Sequence, residues 1–390
     1  MGALGRPLDG VVVADFSRVL AGPMATMMLA DLGAHVIKIE RPGLGDETRA
    51  WGPPWSAHGA TYYESVNRTK KSIALDLAEA ADLATALEIA QAADVVIENF
   101  KPGTMDRLGL GYDVVSAANP GVVYCSISGF GSTGGRDLPG YDFVVQAVGG
   151  LMSITGEPDG DPLKVGVALV DVLTGKDAVI GILAALHGRA RTGRGDRLEV
   201  SLLTSSLAGL VNQAQAYLET GQSPRRMGND HPSIAPYGIL HAGDRALAVA
   251  CGNDGQFARL VAVLGRPELA ADERFATNSA RVAHRIELVA QLESALAGRP
   301  AAEWVEALSA VSVPAGLVND IGAAVALAES LGLEPTLEVG EGWSRQVRHP
   351  VRWTAYDTAE PQQPPASGQH TGEVRDWLAR RARSDGSLPA

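Results

Sequence analysis

The sequence predicts an α/β protein with a large, doubly wound domain followed by a smaller α+β domain. Three observations predict it. Short β-branched runs alternate with helix-spaced apolar stretches over the first 200 residues, glycines follow the strand ends, and the pattern changes character near residue 226.

VVVADF (11–16) reads as a strand, AGPMATMMLADLGA (21–34) as a helix with Pro23 in its first turn and Gly33 at its end, and HVIKIE (35–40) as a second strand. That length of crossover makes a right-handed βαβ unit with parallel strands. The pattern repeats in KSIALDL (71–77), the alanine-rich helix 78–94 and DVVIENF (94–100), and GVVYCSISGFG (121–131) ends on loop-forming glycines. RLEVSLL (197–203) is one more strand, leading into a helix through about residue 221. The large domain is therefore Rossmann-like and covers 1–200, with 201–225 as a linker helix. Residues 226–325 form the small domain. The remainder, 326–390, is a Pro/Gln-rich crossing that ends in one amphipathic helix.

The chain has 390 residues and a formal net charge of −12, which disfavours a nucleic-acid or anionic membrane surface. Even so, Lys38, Arg41, Arg49, Arg68, Lys70, Lys71, Lys101 and Arg107 cluster early, mostly at strand ends, where a doubly wound sheet binds its ligand. No apolar run approaches a membrane span, and no signal-peptide pattern opens the chain. Cys125 and Cys251 lie in apolar, strand-like settings without a CxxC pattern. They read as buried free thiols of a cytoplasmic protein.

The first βα turn, SRVLAGP (17–23), lacks GxGxxG, so a nicotinamide or flavin enzyme is disfavoured; Arg41 after Glu40 suits a phosphate better than a ribose hydroxyl. There is no HExxH, zinc spacing, GxSxG or Walker A sequence. His35 and His187 read as structural. In VALVDVLTGKDAVIGILAAL (167–186), Asp171 stands at the start of a helix with no basic residue closer than Lys164 and Lys176. Asp171 or Thr174 can serve as its N-cap. Alternatively, Asp171 is a nucleophile, with a carboxyl expected to stay ionised because the helix dipole and N–H groups favour the anion. Spacing alone leaves both readings open.

Longer blocks carry a resemblance. DFSRVLAGPMATMMLADLGAHVIKIERPGLGDETRAWGPP, SVNRTKKSIALDL, DVVIENFKPGTMDRLGLGYD, GYDFVVQAVGGLMSITGEPDGDP and VGVALVDVLTGKDAVIGILAALHGRARTGRGDRLEVSLL resemble the family III CoA-transferases, in order, from about residue 8 to about residue 375. These enzymes share their fold with α-methylacyl-CoA racemase. The resemblance implies coenzyme A as a thioester substrate, with no metal and no redox cofactor. It places the nucleophile on Asp171, an acidic supporting residue on Asp142, and CoA contacts on Val19, Ala21, Arg41, Leu75, Asn99, Phe100 and Arg107. It also implies an interlocked, ring-like homodimer in which the C-terminal segment returns to the large domain.

Some positions depart from the family pattern. Leu20 replaces a glutamine of the formyl-CoA enzyme, no lysine lies near Pro139, and Tyr141 stands where the racemases carry a histidine, which favours transfer over α-proton exchange. RRMGNDHPSIAPYG (225–238) occupies the region of a glycine-rich loop, with Gly228 as an expected oxyanion donor. It brings the chain nearer the succinyl-CoA:glutarate branch, where Arg49 or Arg68 is expected to hold an acceptor's distal carboxylate. The competing readings are a racemase or epimerase of the same fold and a non-catalytic CoA-binding protein.

Overall fold

The structure, a computed structural model, describes residues 4–381. They divide into two compact units: one runs to Leu151, then Lys164–Gln222, then from Glu334 onward; the other comprises Met152–Leu163 and Ser223–Leu333.

The first unit is built on six parallel strands, β1 (Val12–Asp15), β2 (His35–Glu40), β3 (Lys70–Ala74), β4 (Val95–Glu98), β5 (Val123–Ser128) and β6 (Arg197–Ser201), in the order β3-β2-β1-β4-β5-β6. This is the strand order of a Rossmann fold, with its reversal between β1 and β4. β1 and β4 are buried at every position, which fits their unbroken apolar runs Val12–Ala14 and Val95–Ile97, each followed by a buried acid, Asp15 and Glu98. Helices α1 (Ala21–Asp31), α2 (Ala80–Ala92), α3 (Asp142–Val148) and α4 (Leu169–Thr192) flank the sheet. One core cluster joins α2 to the helix Thr371–Arg381 through Ile89, Val374 and Trp377; the other joins α1 to α4 through Leu29, Val170 and Ile182.

The second unit carries three antiparallel strands, β7 (Tyr237–His241), β8 (Ala246–Ala250) and β9 (Ala315–Leu317), in sequence order. Helices including Asp254–Val263, Arg285–Leu296 and Ala301–Ala310 bury Phe257, Leu288 and Trp304 with Leu247 of β8.

Two features differ from the sequence-based expectation. Residues 152–163 belong to the second unit, because the Gly228 N–H donates to the Gly156 carbonyl (3.0 Å) and Arg226 donates to the Glu157 and Gly160 carbonyls. Hydrogen bonds between backbone segments so far apart leave no periodic trace. The helix expected through residue 221 is broken into Leu202–Gly209 and Val211–Thr220, and Val211 takes a left-handed φ of 42° at the break.

Candidate active site

The site is assembled at the carboxyl ends of the parallel strands. After β1 the chain turns through Ser17–Leu20 into α1. Val19 sits at φ 70°, an unusual backbone conformation for a β-branched residue, and its N–H donates to Asp46 Oδ1 (3.3 Å). Asn99, just past β4, clamps this turn: the Arg18 N–H donates to Asn99 Oδ1 (2.9 Å) and Asn99 Nδ2 donates to the Arg18 carbonyl (2.7 Å). Asn99 thus works through its side chain to join two strand-end loops.

The loop after β5 is folded back on itself by two glycines in face-to-face contact. A Cβ on Gly140 would lie 2.5 Å from the Cα of Gly129, so neither position has room for a side chain. This close approach delivers Tyr141 and Asp142. Asp142, buried at the start of α3, accepts the N–H groups of Val170 (2.8 Å) and Asp171 (3.1 Å) on Oδ1, and the Gln146 amide (2.7 Å) on Oδ2. The cap of α4 therefore comes from another helix. Thr174 donates to the Val170 carbonyl instead, and Asp171 lies within the first turn.

Asp171 is left partly buried, and no hydrogen bond or ion pair to its carboxylate occurs among the described residues. Its carboxyl is pushed up to about 7, first by burial and then by the charge of Asp142. The expectation of a low value was wrong for a specific reason. The helix N–H groups that would stabilise the Asp171 anion are taken by Asp142, which adds a like charge of its own. The same two carboxylates, after burial, help raise the neighbouring Tyr62 phenol to about 12.

Gly175 explains the glycine of the Thr174-Gly175 pair. A Cβ there would stand 2.7 Å from the Ala21 carbonyl, so α4 packs directly against the start of α1. Gly175→Ala is expected to destabilise the protein by roughly 1–3 kcal/mol. It should also lower kcat/KM by about 10- to 100-fold, because the turn and Asp171 move apart. Thermal melts and steady-state kinetics on the same preparation check both.

Val19, Leu20, Ala21, Asn99, Phe100, Tyr141 and Asp171 line one cleft of about 500 Å³. A second cavity of about 660 Å³ is lined by Arg41 and Leu75 and shares Arg18, Glu47 and Phe100 with the first. Arg107 is exposed, donates to Thr104 Oγ1 (2.9 Å), and lines neither. Gly228 lies in the second unit with its N–H already donated to Gly156, so that amide is not free to meet an oxyanion.

The early cluster of cations divides sharply. Arg49 is paired with Glu40 (2.7 Å) and stacked on Tyr63, and Arg68 donates to both oxygens of buried Asp31. Neither is available to an acceptor carboxylate, which corrects that expectation. Lys38 and Lys70 are fully committed inside the unit, Lys71 pairs with Glu373, and Lys101 pairs with Asp137. From that cluster, Arg41 and Arg107 are the two without a carboxylate partner among the described residues.

Sequence reasoning missed Gln146, Asp46 and Tyr62, and it placed Lys38 among the ligand-side cations although that side chain is buried against Asp46. Gln146 follows Asp142 by one helical turn and was legible in principle. The others depend on contacts between separate strand ends. Among the described residues no group of three metal-ligating side chains stands together, and no helix is long and apolar enough to cross a membrane.

Comparison with known proteins is consistent over nearly the whole chain. A succinate–glutarate CoA-transferase of Agrobacterium fabrum is 43% identical over 378 residues, covering 94% of both chains. An acetyl-CoA:oxalate CoA-transferase of Acetobacter aceti is 42% identical over 353 residues, covering 90% of each. The human succinyl-CoA:glutarate CoA-transferase is 39% identical over 387 residues, with 96% of this chain and 86% of that protein covered. Among solved structures, a CAIB/BAIF family protein from Brucella suis superposes with a TM-score of 0.86 at 43% identity, over 96% of this chain and all of that one. The family model for CoA-transferase family III matches residues 8–371, and the chain belongs to that family.

Proposed function

We propose that the chain moves CoA from an acyl-CoA donor of the succinyl-CoA type to a small dicarboxylic acid, with Asp171 as the nucleophile. The observation that carries this is an unpartnered, partly buried carboxylate opening on the same cleft as Val19, Ala21, Asn99 and Phe100.

Asp171 attacks the donor thioester carbonyl, forming an aspartyl-acyl anhydride and releasing the CoA thiolate. The thiolate attacks the aspartyl carbonyl, giving an aspartyl-CoA thioester and the free donor acid. The acceptor carboxylate then attacks that thioester, and the released thiolate takes the acceptor acyl group from the new anhydride, regenerating Asp171. The successive thioesters and anhydrides exchange acyl groups with carboxylate or thiolate as the leaving group. Positioning and oxyanion stabilisation are therefore the protein's main task.

Val19, Ala21, Asn99 and Phe100 receive the pantetheine end and Arg41 and Leu75 the nucleotide end in the adjoining cavity; Arg107, which lines neither cavity but precedes Leu108 of the second, reaches a phosphate from outside it. α1 begins at Ala21 without a side-chain cap, so its first N–H groups supply the oxyanion donors that Gly228 does not. Asp142 orients α4 and keeps Asp171 from acquiring a capping role. The distal carboxylate of the acceptor meets Arg18 or Lys101, which line the cleft with Asp171 and whose ion pairs, to Glu47 (3.1 Å) and Asp137 (3.0 Å), are open to solvent and can exchange for a ligand carboxylate, unlike the largely buried pairs of Arg49 and Arg68. This assignment replaces Arg49 and Arg68.

The named relatives act on glutarate and oxalate, both dicarboxylates, which supports that acceptor class. A panel of acyl-CoA donors against mono- and dicarboxylic acids, read by mass spectrometry, tests it. Dicarboxylates are expected to exceed matched monocarboxylates by tenfold or more in kcat/KM, and equal rates sink the assignment.

We also propose an interlocked homodimer in the cytoplasm. Apolar side chains stand open to solvent on the first unit at Ile180, Val211 and Leu218, and the helix Ile321–Ser330 of the second unit buries none of its residues. Unpartnered apolar surface of this kind marks an interface. Sedimentation should return twice the 40.6 kDa chain mass, and a monomer at micromolar concentration overturns the proposal.

A further inference from the structure

Beneath the turn that joins β1 to α1 lie two lysines and two aspartates, none more than 2% exposed: Asp15, Lys38, Asp46 and Lys70. They form two ion pairs, Lys38–Asp46 at 3.0 Å and Lys70–Asp15 at 3.1 Å. Burying charge is costly, and a buried pair is weak grounds for stability, since well-packed apolar residues often do as well. The four groups share another property, which is that each also grips the backbone of the stretch 17–23. Lys38 Nζ donates to the Ser17 carbonyl (2.9 Å) and Lys70 Nζ to the Pro23 carbonyl (2.9 Å). Asp15 Oδ1 accepts the Ser17 N–H (2.9 Å), and Asp46 Oδ1 accepts the Val19 N–H (3.3 Å).

The residue at the centre of this grip is Val19, whose left-handed backbone an L-residue with a branched β-carbon adopts only under restraint. Asp46 is itself tied down, donating its own N–H to Glu40 Oε1 (3.0 Å) and accepting from the Thr48 N–H (3.0 Å) and hydroxyl (2.8 Å). Strands β1, β2 and β3 thus each contribute at least one of these charges or their anchors, so the turn's shape is referred to the rigid sheet beneath it.

We propose that this charge-neutral quartet is a positioning device for the thioester end of the substrate, and that Asp46, braced by Lys38, is the member that holds Val19 in its strained conformation. This rests on the reading that the 17–21 turn receives the acyl-CoA. Asp46 touches no substrate and acts through the Val19 backbone.

The test compares two full-length variants in a background that leaves no buried unpaired lysine: Lys38→Met/Asp46→Ala, which removes the Val19 acceptor, and Lys38→Met/Asp46→Asn, which keeps an oxygen there. The alanine form is expected to raise KM for the acyl-CoA donor at least tenfold while kcat stays within threefold and KM for the acceptor acid within twofold. The asparagine form is expected to restore donor KM to within threefold of the unmodified protein. Equal donor KM in the two variants, or kcat and both KM values moving together, overturns the proposal.

Should the alanine form not fold, amide exchange in the unmodified protein decides. The Val19 N–H is expected to exchange at least a hundredfold slower than in an unstructured peptide, and an unprotected rate overturns the proposal. Failure of the underlying reading has a different signature, because the unmodified protein would then not bind acyl-CoA at all.

Discussion

Asp171→Ala is expected to abolish CoA transfer, lowering kcat by about 10⁴-fold or more, the scale of removing a covalent nucleophile that the rest of a site cannot replace. Binding should survive. The Asp171 carboxylate makes no hydrogen bond or ion pair among the described residues, and its N–H bond to Asp142 is a backbone bond that alanine keeps, so deletion of the carboxylate is expected to leave Val19, Ala21 and Asn99 where they are. Calorimetry should therefore give a CoA dissociation constant within about threefold of the parent. Hydroxylamine added during turnover should convert Asp171 to its hydroxamate in the parent protein, as seen in a peptide map. A variant that keeps one per cent of the rate, or a map in which Asp171 is unmodified, contradicts the covalent route.

The pH profile carries the second large effect. In its proposed role Asp171 has to be ionised to attack, and burial together with Asp142 holds its carboxyl near 7. Donor kcat/KM should therefore approach a tenfold fall per pH unit below about 6, drop roughly 50-fold between pH 7 and pH 5, and level off above 8. Asp142→Asn keeps an oxygen for the Val170 and Asp171 N–H groups and removes the like charge. The midpoint should move to lower pH, yet stay above the model-peptide carboxylate range, because burial is the larger cause. A flat profile from pH 5 to 8 rules this out.

The same shift has a consequence for stability. With a folded-state value above the unfolded one, the folded protein binds more protons between about pH 4 and 7, so stability falls as pH rises through that window. Asp171→Asn removes the penalty and is expected to stabilise the protein by about 1–3 kcal/mol at pH 8, after allowance for partial solvent screening, and not at pH 4. Chemical denaturation at the two pH values measures it.

Much of the fold was legible because it is written in local pattern. The central parallel strands open on apolar runs rich in β-branched residues, Val12–Ala14 and Val95–Ile97, α1 carries Pro23 in its first turn, and Gly33 follows with a left-handed φ of 103° where only a glycine is comfortable. The proposed nucleophile was legible in a different way. Asp171 was singled out as a carboxylate without nearby cations, but its spacing fits a helix cap equally well. Asp142, 29 residues earlier, takes the cap and so removes that reading of the Asp171 side chain.

The sequence by itself determined the succession of strands and helices, the position of a cleft at the carboxyl ends of the strands and five of the residues that line it, Val19, Ala21, Asn99, Phe100 and Asp171, because periodicity, turn chemistry and motif blocks are local properties of the chain. Only the tertiary structure decided how the charges are used. Lys38, Arg49, Arg68 and Lys70 looked alike as cations near strand ends, yet each is sealed in an ion pair, whereas Arg41 stays open. Asp171 looked like an ordinary ionised carboxylate at a helix start, yet it is held near neutrality. The physical reason is the same in both cases. A charge's behaviour is set by its distance to other charges and to water, and those distances are fixed by strands and loops that are remote in the chain.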